Sequence, residues 1–225
     1  MNIAFIPVRG GSKSIPLKNI KFFCGKPLVY WTLNAAQQSK KIDKIIVATD
    51  SDEIKKTVNS FGFKKVEVYD RNSKNATDEA STEDVMLEYL DKSNLKSKDI
   101  FILLQATSPM TEAKDIDSAF SLIIAKNVDS VLSCVRQKYF LWNDNNSPFN
   151  YDYRNRPRRQ DHSGILVENG ALYISSVKSI KKTKNRLGGK IAVYEMEDFK
   201  NIDLDEEFQW LPAEIIMKRN ILKCK

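Results

Sequence analysis

Short apolar runs recur along this chain with helix-length stretches between them, and that alternation restricts the fold more than any other feature. The runs are Ile3–Val8, Lys44–Thr49, Lys65–Tyr69, Ile100–Leu104, Asp129–Val135, Ala171–Ile174 and Lys190–Glu195. The intervening stretches carry apolar residues at helical spacing, as Leu28, Trp31, Thr32 and Ala35 do after Pro27. Strands that alternate with helices predict βα units around a mainly parallel sheet. Ile100–Leu104 lacks the polar alternation of a half-exposed strand, so it is expected at the centre, buried on both faces.

Local signals place several boundaries. Asp50-Ser51-Asp52 can cap a helix from Glu53 to Phe61, which Gly62 ends. Ser81, with Asp84 three residues on, predicts the start of a helix reaching Lys92. Further helices are expected over Asp115–Ala125 and from Asp205 to about Arg219. The rhythm fails between Gln137 and Gly164, a stretch rich in Asn, Asp, Arg, Tyr and Pro. This segment is too long and too aromatic for an ordinary connection and predicts an arm that packs on a second subunit. The 225 residues fit one domain, residues 1–225, with the arm at 137–164 as an insertion.

Composition narrows the context without naming a partner. The formal net charge of +7 suits an anionic partner, but much of the excess is dispersed lysine that serves solubility. Cys24, Cys134 and Cys224 are scattered and lack metal-ligand spacing, as expected for reduced thiols in a cytoplasmic protein. The opening apolar run meets Arg9 at once and is too short for a membrane span. No membrane partner is expected.

The residues that carry chemistry lie at the ends of strands. Arg9-Gly10-Gly11-Ser12-Lys13-Ser14-Ile15-Pro16-Leu17-Lys18-Asn19 follows the first strand directly, where open α/β sheets gather ligands. Its glycines permit close backbone approach, and Arg9, Lys13 and Lys18 supply cations for a phosphate-bearing ligand. The spacing differs from the GxxxxGK[ST] loop. Near the other end, Asp203-Leu204-Asp205 puts two carboxylates on one face if it is extended. Such a pair can hold Mg²⁺ against phosphate oxygens, and Asp205 is equally well placed to cap the last helix. The single histidine, His162, has no serine or cysteine partner set around it. Arg154, Arg156, Arg158 and Arg159 alternate with Tyr151 and Tyr153, either as a nucleic-acid stripe or as an arm reaching an anionic substrate or subunit.

Several segments, in order, resemble the acylneuraminate cytidylyltransferase family. They are Ile6-Pro7-Val8-Arg9-Gly10-Gly11-Ser12-Lys13, Ile15-Pro16-Leu17-Lys18-Asn19, Gly25-Lys26-Pro27-Leu28, Ile46-Val47-Ala48-Thr49-Asp50-Ser51, Arg71, Leu103-Leu104-Gln105-Ala106-Thr107-Ser108-Pro109, Arg159-Gln160, Asn169-Gly170-Ala171-Leu172-Tyr173-Ile174 and Asp203-Leu204-Asp205. The likeness spans about Ile3 to Glu214. It implies an α/β, Rossmann-like nucleotidyltransferase fold, with a mainly parallel sheet, helices on both faces and an inserted dimerisation arm.

The resemblance also implies the reaction: CMP passes from CTP to the anomeric hydroxyl of a nonulosonic acid, and pyrophosphate leaves. Arg9, Ser12, Lys13 and Lys18 would hold the triphosphate, with Arg9, Lys13 and Asp205 in the catalytic set. Asn19 would contact the nucleoside, and Arg71, Ala80 and Thr82 would frame the cytosine. Gln105, Asn169 and Tyr173 would face the sugar acid, and Asp203 with Asp205 would serve Mg²⁺. The carboxylate of such an acid needs a cation, and the Arg154–Arg159 cluster, especially Arg159 beside Gln160, is the nearest candidate in the sequence. A homodimer and no nucleic-acid partner follow. Met110-Thr111, Ser14 and Val167-Glu168 depart from many relatives, which leaves open an eight-carbon acceptor. A sugar 1-phosphate acceptor is the further alternative; it would need a second cationic pocket, which Gln105 and Asn169 do not make.

Overall fold

The computed structural model describes residues 1–12 and 14–224; Lys13 and Lys225 lie outside them. Among the described residues, nine strands and six α-helices follow one another as β1 (Asn2–Pro7), β2 (Phe22–Phe23), β3 (Lys26–Pro27), α1 (Leu28–Gln38), β4 (Lys44–Thr49), α2 (Asp52–Ser60), β5 (Val66–Asp70), α3 (Thr82–Lys92), β6 (Ile100–Leu104), α4 (Ala113–Ala125), β7 (Ser130–Gln137), β8 (Ile165–Ser176), α5 (Val177–Thr183), β9 (Ile191–Met196) and α6 (Trp210–Met217). Seven strands form one sheet in the order β5-β4-β1-β6-β8-β7-β9, and β2 pairs with β3 in a small hairpin. β6 takes the central place expected from its unbroken apolar run.

Within the seven-stranded sheet, pairings are parallel except along β8, which runs against both β6 and β7. Successive residues of a strand face opposite sides, and β1 shows the consequence. Ala4 and Ile6 pack with residues of α1, α2 and α4, while Ile3 and Phe5 pack with residues of α3 and α5. Helices therefore cover both faces. A third apolar cluster joins Ile15, Phe23, Leu28, Met110, Leu204, Trp210, Ala213 and Met217. It ties the basic loop, through Ile15, to the acidic segment, through Leu204.

Local boundaries follow the capping chemistry. Ser51 accepts from the Ile54 N–H at the start of α2, and Ser81 with Asp84 completes a reciprocal cap on α3. Two expectations need correction. The strand expected at Ala171–Ile174 is much longer, because Glu168-Asn169-Gly170 interrupts the alternation while the backbone continues through Gly170 at φ +70°. The last helix starts at Trp210, not Asp205, because Gln209 Oε1 accepts from the N–H groups of both Asp205 and Glu206, at 2.8 Å each. Asp205 is thus no helix cap.

The arm leaves at the end of β7 and returns at the start of β8, where Gln137 and Ile165 are paired. Gly164, at φ +73°, closes the return; a Cβ there would lie 2.7 Å from the Gln137 carbonyl oxygen. Inside the arm His162 is buried, its ring stacked on Phe140 at 4.8 Å and its Nε2 beside the Tyr139 carbonyl oxygen. Arg156 lies 3.9 Å from the centre of the Phe140 ring. Tyr139, Trp142, Phe149 and Tyr153 remain exposed.

Candidate active site

The carboxyl ends of β1 and β6 and the start of α3 enclose a cavity of about 230 Å³. Arg9, Lys18, Asn19, Arg71, Ala80, Thr82, Gln105 and Asp205 are among its lining residues. Six residues assigned by resemblance to CTP, Arg9, Lys18, Asn19, Arg71, Ala80 and Thr82, thus meet at one place with Asp205, assigned to Mg²⁺. Ser12 is half-buried in the same loop but outside the lining, and Lys13 is outside the described residues.

Each side chain here has a definable state. Arg9 pairs with Asp78 at 2.7 Å and donates to the Thr77 carbonyl oxygen. Asn19 is buried and donates to the Arg9 carbonyl oxygen, so it fixes the loop as well as lining the cavity. Gly10 serves close packing: a Cβ at this position would lie 2.9 Å from the Ser51 Cβ. Its N–H donates to Asp50.

Arg71 is 9 % exposed, and its Nε has no hydrogen-bond partner among the described residues. A buried donor without a partner is costly, and a polar ligand in the cavity would relieve that cost. Burial pushes the Arg71 pKa down, against the opposing pull of Asp50 and Glu88.

A second cavity of about 380 Å³ adjoins the first and shares Gln105 with it. Glu168, Asn169, Tyr173, Arg186, Asn201 and Asp203 are among the residues that line it. Gln105 makes no side-chain hydrogen bond among the described residues and is free to serve either space. Asn169 behaves differently. Its Oδ1 accepts from Ser133 and its Nδ2 donates to the Lys200 carbonyl oxygen, so its amide is engaged with protein. The Tyr173 hydroxyl donates to Glu168, and Arg186 lies 5.0 Å from the Tyr173 ring centre. Arg186 also forms a two-point pair with Glu83 through Nε at 2.6 Å and Nη2 at 2.9 Å. Burial and the Glu168 bond together push the Tyr173 pKa well above the usual phenol range.

The acidic pair straddles the boundary. Asp205 lines the first cavity and Asp203 the second, with fully buried Leu204 between them. Asp205 is held by Lys18 at 2.8 Å. The Asp203 pKa is raised, first by partial enclosure of its carboxylate and further by the charge of Asp205, against a Thr107 hydrogen bond and the pull of Lys18. A carboxylate in that state gains from a nearby cation. Among the described residues no cluster of three or more His, Cys, Asp or Glu ligands occurs. Two carboxylates that leave most positions to phosphate and water nevertheless suit Mg²⁺.

Arg159 stands apart. It lies exposed in the arm and lines neither cavity, so the structure does not bring it to Gln105 or Tyr173 within one chain. The cation that does line the second cavity is Arg186, and the view that this side offers only neutral groups is corrected by Arg186 and Glu168. Arg186 sits in a loop without any motif, so spacing gave no signal for it. Glu168 was visible only as a departure from the family pattern.

Comparison with known proteins fits this geometry. The chain is 38 % identical over 219 residues to the N-acylneuraminate cytidylyltransferase of Oncorhynchus mykiss, covering 94 % of this chain and 49 % of that protein. It is 37 % identical over 218 residues to N-acylneuraminate cytidylyltransferase A of Danio rerio, again covering 94 % and 49 %. The chain therefore spans about half the length of the curated relatives it matches. Its fold is similar to a CMP:2-keto-3-deoxy-manno-octonic acid synthetase solved with CTP, at a TM-score of 0.71 and 19 % identity, over 98 % of this chain and 99 % of that one. Residues 3–217 match the cytidylyltransferase family model, and the chain belongs to that family.

Proposed function

We propose that this chain transfers CMP from CTP to the anomeric hydroxyl of a nonulosonic, sialic-type acid and releases pyrophosphate. One observation carries the reading: two adjoining cavities share Gln105 and meet at Asp203-Leu204-Asp205. A nucleotide in the first and an acceptor in the second place the attacking hydroxyl beside the α-phosphorus. Positioning of this kind, with charge neutralisation, supplies most of the catalysis in phosphoryl transfer.

In this reading Arg71, Ala80 and Thr82 frame the cytosine, and Asn19 contacts the nucleoside. Arg9, Ser12, Lys13 and Lys18 hold the triphosphate, and Arg9 and Lys13 neutralise charge that develops as pyrophosphate departs. Asp203 and Asp205 would hold Mg²⁺ together with phosphate oxygens; when bound, the ion supplies charge neutralisation and lowers the pKa of a nearby hydroxyl. Gln105 and Tyr173 hydrogen-bond the acceptor, while Asn169 shapes its cavity. The names of the curated relatives support a nine-carbon acid over an eight-carbon one. The matching structure with the eight-carbon name supports the fold alone.

The exposed aromatic residues of the arm support a homodimer, with Arg159 presented from the arm to meet a carboxylate. Light scattering is expected to give a dimer; a fully active monomer at micromolar concentration would exclude it. A cytoplasmic location fits the consumption of CTP, and among the described residues no helix is long and apolar enough to cross a membrane. The deciding experiment is Mg²⁺-dependent pyrophosphate release from CTP across sialic, legionaminic, pseudaminic and eight-carbon ulosonic acids. A sialic-type acid is expected to give the highest kcat/KM. A clear preference for the eight-carbon acid refutes the acceptor, and no release with any acid refutes the reaction.

A further inference from the structure

Lys200 is 2 % exposed, and the proposed reaction gives it no part. Its ammonium group lies 2.7 Å from Asp115 Oδ2, 2.8 Å from Glu112 Oε2 and 2.9 Å from Glu197 Oε2. An ammonium has three N–H donors, and each has a carboxylate here. Asp115 is fully buried and also accepts from the Tyr194 hydroxyl and the Glu112 N–H. Lys114 closes the network, 3.0 Å from both Glu112 and Glu197. Burial alone would discharge Lys200, but Asp115 and Glu112 outweigh it and keep its pKa above the ordinary lysine value.

Such a buried network is a poor way to gain stability, because apolar residues of the same volume often do as well or better. It does fix a position. The Lys200 carbonyl oxygen accepts from Asn169 Nδ2 at 3.1 Å. Asn201 and Asp203, the first and third residues after it, line the second cavity. Leu204 then anchors the segment again, with a fully buried side chain and an N–H donated to the Thr107 carbonyl oxygen at 2.9 Å. The stretch that carries Asn201 and Asp203 is thus pinned at both ends.

We infer that Lys200 is a positioning residue: by locking onto Glu112 and Asp115 at the start of α4, and onto Glu197 at the end of β9, it holds Asn201 and Asp203 against the acceptor cavity. The inference rests on the assignment of that cavity to the sugar acid. Lys200→Met removes the charge at similar volume, and Lys200→Met with Asp115→Asn avoids stranding a buried carboxylate. Lys200→Arg is the conservative rescue.

Hydrogen exchange, melting temperature and steady-state kinetics are measured on the purified chain. The double variant is expected to fold, with faster exchange confined to the peptide containing residues 197–205. The acceptor KM should rise at least tenfold and the CTP KM should stay within threefold, with Lys200→Arg recovering part of the loss. Calorimetric binding of the sugar acid should weaken in parallel. Unchanged exchange in that peptide overturns the positioning role. So do kinetics in which neither the acceptor KM nor kcat changes. If the unmodified chain transfers CMP to no sugar acid, the functional reading fails, and the exchange data still decide whether Lys200 holds the segment.

Discussion

Lys18 Nζ donates to Asp205 Oδ1 at 2.8 Å across 187 positions of sequence, so the basic loop and the acidic segment are joined by one ion pair. The side chain of Lys18 is 12 % exposed and that of Asp205 62 %. In the proposed reaction both partners change allegiance: Lys18 turns to the triphosphate and Asp205 to the cation. Asp205→Asn is expected to cut kcat by about a hundredfold while the melting temperature barely moves, because a half-exposed pair contributes about 0–1 kcal/mol. Lys18→Met should mainly raise the CTP KM, and the double variant should lose less than the two single losses combined. Steady-state kinetics and thermal melts check this; lost stability with retained turnover would make the pair structural.

Arg71 carries a different expectation. Its buried Nε lacks a partner among the described residues, and the residue lines the cavity proposed for the base. A hydrogen bond to a charged donor contributes about 1.5–3 kcal/mol, and lysine cannot reproduce the planar guanidinium fork. Arg71→Lys should therefore raise the CTP KM by about tenfold or more and narrow the preference for CTP over UTP. Equal KM values for the variant and the unmodified chain would remove Arg71 from base recognition.

Most of the first cavity's lining could be read in the sequence, because its residues sit at strand ends and helix starts, where position in the chain predicts position in space. Arg9, Asn19, Arg71 and Thr82 belong to this group, as do the caps at Ser51 and Ser81. The second cavity was harder. Arg186 reaches its cavity from an irregular loop and is fixed by Glu83, a residue 103 positions away that carried no motif. Asn169 was legible as a site residue, yet its amide turns inward to Ser133 and Lys200, a direction that only packing decides. The start of the last helix was misplaced for a similar reason: the Gln209 side chain, not a local propensity, turns the chain after Asp205.

The Tyr173 hydroxyl gives a test of the role proposed for the second cavity. It donates to Glu168, and the ring supports Arg186, so Tyr173→Phe removes the bond while the stacking stays. The acceptor KM should rise by about tenfold, in line with the loss of one hydrogen bond that orders the cavity wall, and the CTP KM should hold. Product analysis across two sugar acids that differ in their polar tails is the measurement. An unchanged acceptor KM for both would place the Tyr173–Glu168 pair outside recognition.

Acid stability follows from two carboxylates. Glu88 is pulled down to about 2; burial opposes this, but bonds from Tyr69, Asn75, Lys92 and the Asn72 N–H prevail. Glu197 is likewise held at about 2 by Lys200 and Lys114 against its burial. Both values lie below the unfolded value of about 4.3, so folding favours the charged form. Their contribution is complete above that value and is lost as pH falls toward 2. Melting temperature should be nearly flat from pH 8 to about 5, then fall steeply between about 4.5 and 2. Glu88→Gln should lower the neutral plateau and soften that fall; an unchanged acid limb would assign it to other groups.

Because Gln137 and Ile165 are register partners, the arm starts and finishes at neighbouring points of the sheet. The chain-closure entropy of an excursion grows only with the logarithm of its length, by about 0.6 kcal/mol per doubling. The sheet is therefore almost indifferent to what is inserted there, provided the Gly164 stem can still turn beside the Gln137 carbonyl oxygen. Surface, length and charge of the insertion can drift by mutation without re-solving the packing of β7 against β8. The molecule is built as a rigid frame with an exchangeable attachment.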